Sequence, residues 1–333
     1  MPSVYELANQ FRAALLQNDE AARARIVAAY GPVSETLANG LAALERLIAA
    51  EKAAGREPSG AWLKRQERYK ALLQQVQAEV ERFGGVAAGT IANAQSRAIG
   101  TGAQAAETLT RAQVSTAWNR LPTGAVENIV GYLGDGSPLR DVLKSAGGDA
   151  AETVGKTLVK GLALGWHPTK TRRAVLQIAQ VPKARAETIC RTETLRAYRQ
   201  ASIQSFDANA DVVQKWRWVA SLGARSCPMC VAMHGTLHDV TEEFGSHPNC
   251  RCVPVPVVDI TEKFETGPEW FDKQDEAAQW NILGKAATVE YRAGRVSLPD
   301  FVKKTESINW GVSRSVASLE LAKKQAARGE VDD

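Results

Sequence analysis

The sequence predicts a mainly α protein, with an N-terminal helical region followed by an α+β C-terminal domain that carries a small zinc-stapled β-hairpin. Three observations predict it. Apolar residues recur at three- and four-residue steps through the first half, Pro168 and Pro182 open later helical stretches, and a compact Cys and His run is flanked by two segments of alternating apolar residues.

The helical elements follow in order. Val4, Leu7, Ala8, Phe11, Ala14 and Leu15 share one helical face, and Leu37, Leu41, Leu44 and Ile48 form a second stripe. Gly, Pro and Ser break the pattern over residues 54–60. Trp62, Tyr69, Leu73, Val76, Val80 and Phe83 then form a third stripe, with Gln66 in its polar slot, and Gly84 and Gly85 are predicted to stop the helix. Such a stripe requires a partner helix, either in the same chain, which the other stripes favour, or in another. Residues 86–120 are rich in Ala, Thr, Gln and Ser, so a helix there buries little by itself and is expected to need an assembly for order. Pro and Gly punctuate residues 121–148, which predicts short helices between turns and a loose boundary. Helical pattern resumes over 150–164, 168–180 and 182–206.

Four of the five cysteines lie in the Cys and His run: Cys227 and Cys230, then Cys250 and Cys252, with His247 just ahead of the second pair. Structural zinc takes four N or S ligands tetrahedrally, and a two-residue gap lets both sulfurs of a pair wrap one ion from a tight turn, which Pro228 suits. His247 and Cys250 repeat that gap. The favoured set is therefore Cys227, Cys230, His247 and Cys250, with Cys252 as a substitute. Core packing of reduced cysteines explains such clustering poorly, a disulfide framework does not suit a long, cysteine-poor chain that reads as intracellular, and a redox pair leaves His247, Cys250 and Cys252 without a role. No His-x-Glu precedes the Cys pair as a nucleobase-deaminase zinc site requires, so the site reads as closed and structural. His234 and His238 fall in a loop stretch and are expected to be exposed. Trp216, Trp218 and Ala220 alternate with Lys215, Arg217 and Val219 as in a half-buried strand. Val253, Val255 and Val257 alternate with prolines, which predicts an edge strand.

With 333 residues, 44% hydrophobic, 23% charged and a formal net charge of +4, the composition is that of an ordinary soluble protein. No segment approaches the roughly 20 apolar residues of a membrane span, and the first residues lack the pattern of a secretory signal. Residues 161–200 hold eight Lys or Arg against two Glu. Lys170, Arg172, Arg173 and Lys183 are candidates for phosphate contact, weighed against an ordinary solvated helix face. Ala186, Cys190, Glu193, Ala197 and Ala201 share one face, so Glu193 is expected to be a buried structural acid partnered by Arg191 or another basic side chain.

The helix segment with Ala186, Glu187, Cys190, Arg191, Thr192, Glu193 and Ala197, the Trp-rich strand, Cys227 and Cys230, and the run from His247 to Cys252 together resemble the phage Mu F-like minor head protein family, also called phage head morphogenesis proteins. The resemblance covers roughly residues 161–258 and extends to Leu283, Gly284 and the segment from Tyr291 to Val302, where Gly294, Ser297 and Asp300 resemble the family's trailing helix-turn-helix. It implies a non-enzymatic minor head protein of a tailed phage or prophage, associated with the portal vertex. Its partners would be portal and capsid proteins, and phage DNA if it acts in packaging or ejection. It implies a place in the virion, after assembly in the host cytoplasm. On this reading residues 1–120 are the assembly and portal-docking region, 121–310 the Mu F-like domain with a zinc module at 212–258, and 311–333 a tail, polar and disordered from Lys323. Residues beyond Phe301 are too few for the toxin or nuclease module fused to some relatives. A second reading stays open: a zinc-ribbon-like nucleic-acid-binding protein that uses the basic helices and exposed Trp side chains.

Overall fold

The computed structural model of the protein describes residues 3–121, 138–307 and 311–329. Two compact units form from non-consecutive stretches: Asn18–Ala94 with Gly131–Arg191, and Met1–Gln17, Gln95–Val130 and Thr192–Asp333. The ranges 1–120, 121–310 and 311–333 do not coincide with these units, because three long helices contribute residues to both. They are α1 (Val4–Ala29), α4 (Glu67–Arg111) and α7 (Val181–Asp207).

The first unit is helical and adds α2 (Gly31–Ala53), α3 (Gly60–Arg65), α5 (Pro138–Ala163) and α6 (Pro168–Ala179). Leu37, Leu41 and Leu44 of α2 meet Leu72, Val76, Val80 and Phe83 of α4 in one core with Val154 and Val175, so the third stripe finds its partner within the chain. Trp62 stands apart in α3, where Ser59 caps the helix by accepting from the Trp62 N–H, and Gln66 ends it. Gly84 and Gly85 do not stop α4. Their cost, up to about 1 kcal/mol each, is offset by burial of Phe83, Ala87 and Ile91 on the same face. Arg191 pairs with the fully buried Asp19 at 2.8 Å, which removes it as the partner expected for Glu193. Much of the punctuated 121–148 stretch lies outside the described residues, and α5 begins at Pro138.

The second unit is built on a three-stranded antiparallel sheet of order β2-β1-β3, with β1 Lys215–Val219, β2 Leu237–His238 and β3 Val253–Val257. The expected hairpin is thus a sheet, since residues between β1 and β3 supply a short helix, α8 (Pro228–Met233), and β2. As expected of its prolines, β3 lies at the edge. Neither face of β1 is open. Trp216 and Trp218 are fully buried on one side with Phe206, Met229 and Phe271, and Val219, Val253 and Val255 pack with Ala8, Leu15, Ala98 and Leu109 on the other. The half-buried pattern fails because Arg217 is buried as well, its guanidinium over the Phe264 ring and bonded to the Tyr5 hydroxyl.

Small residues in 95–111 allow close approach rather than weak order. A Cβ at Gly102 would lie 2.4 Å from the Tyr198 carbonyl oxygen of α7, whereas one at Gly100 meets nothing within 4 Å. Gly102→Ala is therefore expected to lower stability by roughly 1–3 kcal/mol, and Gly100→Ala to raise it by roughly 0.5–1 kcal/mol. Urea unfolding of both variants checks the opposite signs.

The C-terminal portion holds α9 (Gly267–Asp272), α10 (Glu276–Leu283) and α11 (Lys285–Arg292), then β4 (Val302–Ser307), β5 (Gly311–Val316) and α12 (Leu319–Arg328). Within that extension Gly284, whose φ of 82° suits glycine, turns α10 into α11, and Gly294–Asp300 forms no helix-turn-helix. There Asp300 instead accepts from the N–H and hydroxyl of Ser297 and leads into β4. The polar end is helical through Arg328, capped by Ser318 and anchored by the fully buried Ala322, which corrects the disorder expected from Lys323 as far as Arg328; residues 330–333 lie outside the described residues. Among the described residues no helix is long and apolar enough to cross a membrane.

Candidate metal centre

Three short pieces of the second unit bring the sulfur and imidazole donors together. Cys227 is the N-cap of α8 and its sulfur accepts from the Cys230 N–H at 3.3 Å, while Pro228 takes the first helical position, where it needs no N–H partner. This turn points both sulfurs the same way. The second piece, His247 to Cys252, reverses sharply at Asn249, which has a φ of 62° and whose N–H donates to the Thr192 hydroxyl of α7. Asn tolerates this conformation better than most side chains.

Cys227, Cys230 and His247 form one group of mutually close donors and Cys230, Cys250 and Cys252 another, with Cys230 common to both. The His247 Nε2 lies 3.2 Å from the Cys227 sulfur and 3.3 Å from that of Cys230, and the Cys230 and Cys250 sulfurs are 3.8 Å apart. Two sulfurs on a tetrahedral zinc, each about 2.3 Å from the ion, stand about 3.8 Å apart. His247 Nδ1 is 2.7 Å from the Pro248 carbonyl. Donation from Nδ1–H there leaves Nε2 free to bind a cation, as outer-shell bonds commonly do for ligand histidines.

Charge in the cluster is mutually dependent. Contact with Cys230 draws the Cys227 thiol down to about 5 against its burial, and the same contact pushes Cys230 well up. Cys250 is lowered despite its burial by bonds to Cys230 and Cys252, while burial holds Cys252 up. Desolvation opposes the charged form of His247, but the Cys227 and Cys250 sulfurs and the Pro248 carbonyl together outweigh it and raise the ring to about 9. Sulfurs this close cannot all ionise by themselves. A divalent cation removes that restriction, and each of the two donor groups could hold one.

His234 and His238 are accounted for elsewhere, and both are buried rather than exposed. His238 stacks on Trp216, with Nε2 2.8 Å from the Thr236 hydroxyl and Nδ1 3.0 Å from Glu242. His234 Nδ1 accepts from the Ala220 N–H at 3.0 Å.

Glu193 is 3% exposed, and burial raises its carboxyl against the nearby Arg196. Its hydrogen bond comes from the Gln95 amide at 3.4 Å, not from Arg191. Lys170, Arg172 and Arg173 are exposed on α6, with Lys170 4.5 Å from the Trp166 ring centre, and Lys183 is half-buried on α7. All four belong to the helical unit and none joins the cluster. Arg199, one of the eight basic residues of 161–200, lies at the cluster instead. It is 4% exposed, and its guanidinium donates to the carbonyls of Cys250 and Cys252. Its spacing with Leu195, Ser202 and Phe206, all buried, was the available signal.

Cys and His donors grouped in this way could hold a metal ion. The sequence model described as Phage Mu protein F like protein matches residues 152–255, just under a third of the 333-residue chain. This stretch is a phage Mu F-like region, and the resemblance read from the residues is borne out there. The family implies a phage head morphogenesis protein. No curated protein and no solved structure matches the chain.

Proposed function

We propose that this chain is a minor head protein of a tailed phage or prophage. It associates with the portal vertex, acts in head assembly with portal and capsid proteins, and contributes to DNA packaging or ejection. A structural zinc held by Cys227, Cys230, His247 and either Cys250 or Cys252 fixes the fold of its C-terminal portion. The family match over residues 152–255, which contains every one of these ligands, carries the reading. Burial of Trp216 and Trp218 counts against the nucleic-acid-binding alternative, because neither ring is available to stack on a base.

Co-expression with the portal protein of the same phage genome tests it. The expected result is co-purification with portal rings that survives charge reversal at Arg172, Arg173 and Lys183. Salt-dependent DNA binding lost on that reversal, with no portal association, would replace this reading by the alternative.

A further inference from the structure

We infer that Arg199 is the positioning residue of the metal knuckle, holding Cys250 and Cys252 at the cluster and balancing the charge of the occupied site. This inference rests on the proposal of a structural zinc. The observations behind it are independent of the ion. Arg199 sits on α7, yet each of its three nitrogens bonds to the loop that carries the last ligands: Nε to the Cys252 carbonyl at 2.9 Å, Nη2 to the Cys250 carbonyl at 2.8 Å and Nη1 to the Ser246 hydroxyl at 2.8 Å. Its guanidinium centre lies 4.6 Å from the centre of the Phe244 ring, which is itself stacked on Trp218. The rigid planar fork spans two alternate carbonyls of a Cys-x-Cys segment, which a lysine cannot do.

The charge argument follows from burial. Among the described residues no carboxylate forms an ion pair with Arg199, although it is only 4% exposed. A buried cation without a counter-charge is costly. Zinc with three thiolates and one imidazole carries one net negative charge, which a single guanidinium neutralises. With four thiolates the site would carry two. Arg199 therefore favours Cys227, Cys230, His247 and one of Cys250 and Cys252 over a four-cysteine site.

Zinc affinity by chelator competition, together with the absorption spectrum of the cobalt-substituted full-length protein, tests this. Arg199→Met is expected to weaken zinc binding about 10–100-fold, as loss of an outer-shell partner does. It should also alter the cobalt spectrum, with Arg199→Lys recovering only part of the affinity. The wild-type cobalt spectrum should show three thiolates rather than four. Unchanged affinity and spectrum in Arg199→Met would overturn the positioning role. If that variant does not fold, Arg199→Lys carries the test, and wild-type affinity there would equally overturn it. Wild-type protein that binds neither zinc nor cobalt would instead remove the zinc proposal.

Discussion

Purified protein is expected to contain about one zinc per chain, consistent with one closed four-ligand site, and to lose the fold around the β1–β3 sheet when that zinc is chelated. Structural zinc in small knuckles contributes on the order of 10–16 kcal/mol of apparent folding free energy, comparable to the whole stability of a typical domain. Cys230 has the largest expected effect of any single residue, because it belongs to both groups of mutually close donors. Cys230→Ser or Cys227→Ser should abolish zinc binding and collapse the near-ultraviolet circular dichroism from Trp216 and Trp218, which pack with Phe244. The far-ultraviolet helical signal should largely persist, since Leu37, Leu41, Val76 and Val80 belong to a core that contains none of the ligands. Serine at Cys252 alone should leave the metal in place if Cys250, 3.8 Å from Cys230, completes the site. Elemental analysis of protein purified without chelator decides the matter first: no metal, with an intact Trp signal, would remove zinc from the account.

Legibility in the sequence tracked the range of the physics involved. Stripes such as Leu37–Leu41–Leu44 were readable because helical periodicity is local, and the core confirms their burial. Gly84 and Gly85 misled because helix propensity is a weak prior beside the packing of Phe83 and Ala87. The strand of Trp216 and Trp218 was found by its alternation, but its second buried face depends on Tyr5, Phe264 and other residues far away in sequence. Strands β4 and β5 went unseen: Val302–Ser307 has little apolar alternation, and its pairing with Gly311–Val316 is what makes it a strand.

Spacing alone located the cluster, since ligand chemistry is written in residue identity. It did not reveal what holds the cluster. Arg199, Thr192 and Asn249 act through backbone carbonyls and N–H groups, which carry no sequence signature. A basic run also reads as a surface until the fold shows otherwise. Of the eight basic residues in 161–200, Arg191 is spent on Asp19 and Arg199 on the cysteine loop, so the run is not one charged face.

Acid is expected to weaken the sheet-bearing unit through His234. Burial pushes this imidazole down to about 4, outweighing the pull of Glu265 in the other direction. Its neutral form fits the site: Nδ1 accepts from the Ala220 N–H at 3.0 Å, which a doubly protonated ring cannot do. In the unfolded chain the ring takes up a proton near 6.5. The stability that the neutral ring contributes is therefore fully present above about pH 6.5 and drains away as the pH falls through about 4, a loss of about 3 kcal/mol once both states are protonated. Thiolate ligands protonate over part of the same range, so the wild-type curve alone cannot isolate the effect. His234→Asn supplies the comparison, because its side-chain carbonyl can still accept from Ala220 but does not titrate. The variant should be the less stable protein at pH 7.5, having lost ring contacts with Phe264, and the gap should narrow as the pH is lowered toward 4. Urea midpoints for both proteins across that range measure it, and two curves that stay parallel would show that His234 does not govern the acid response.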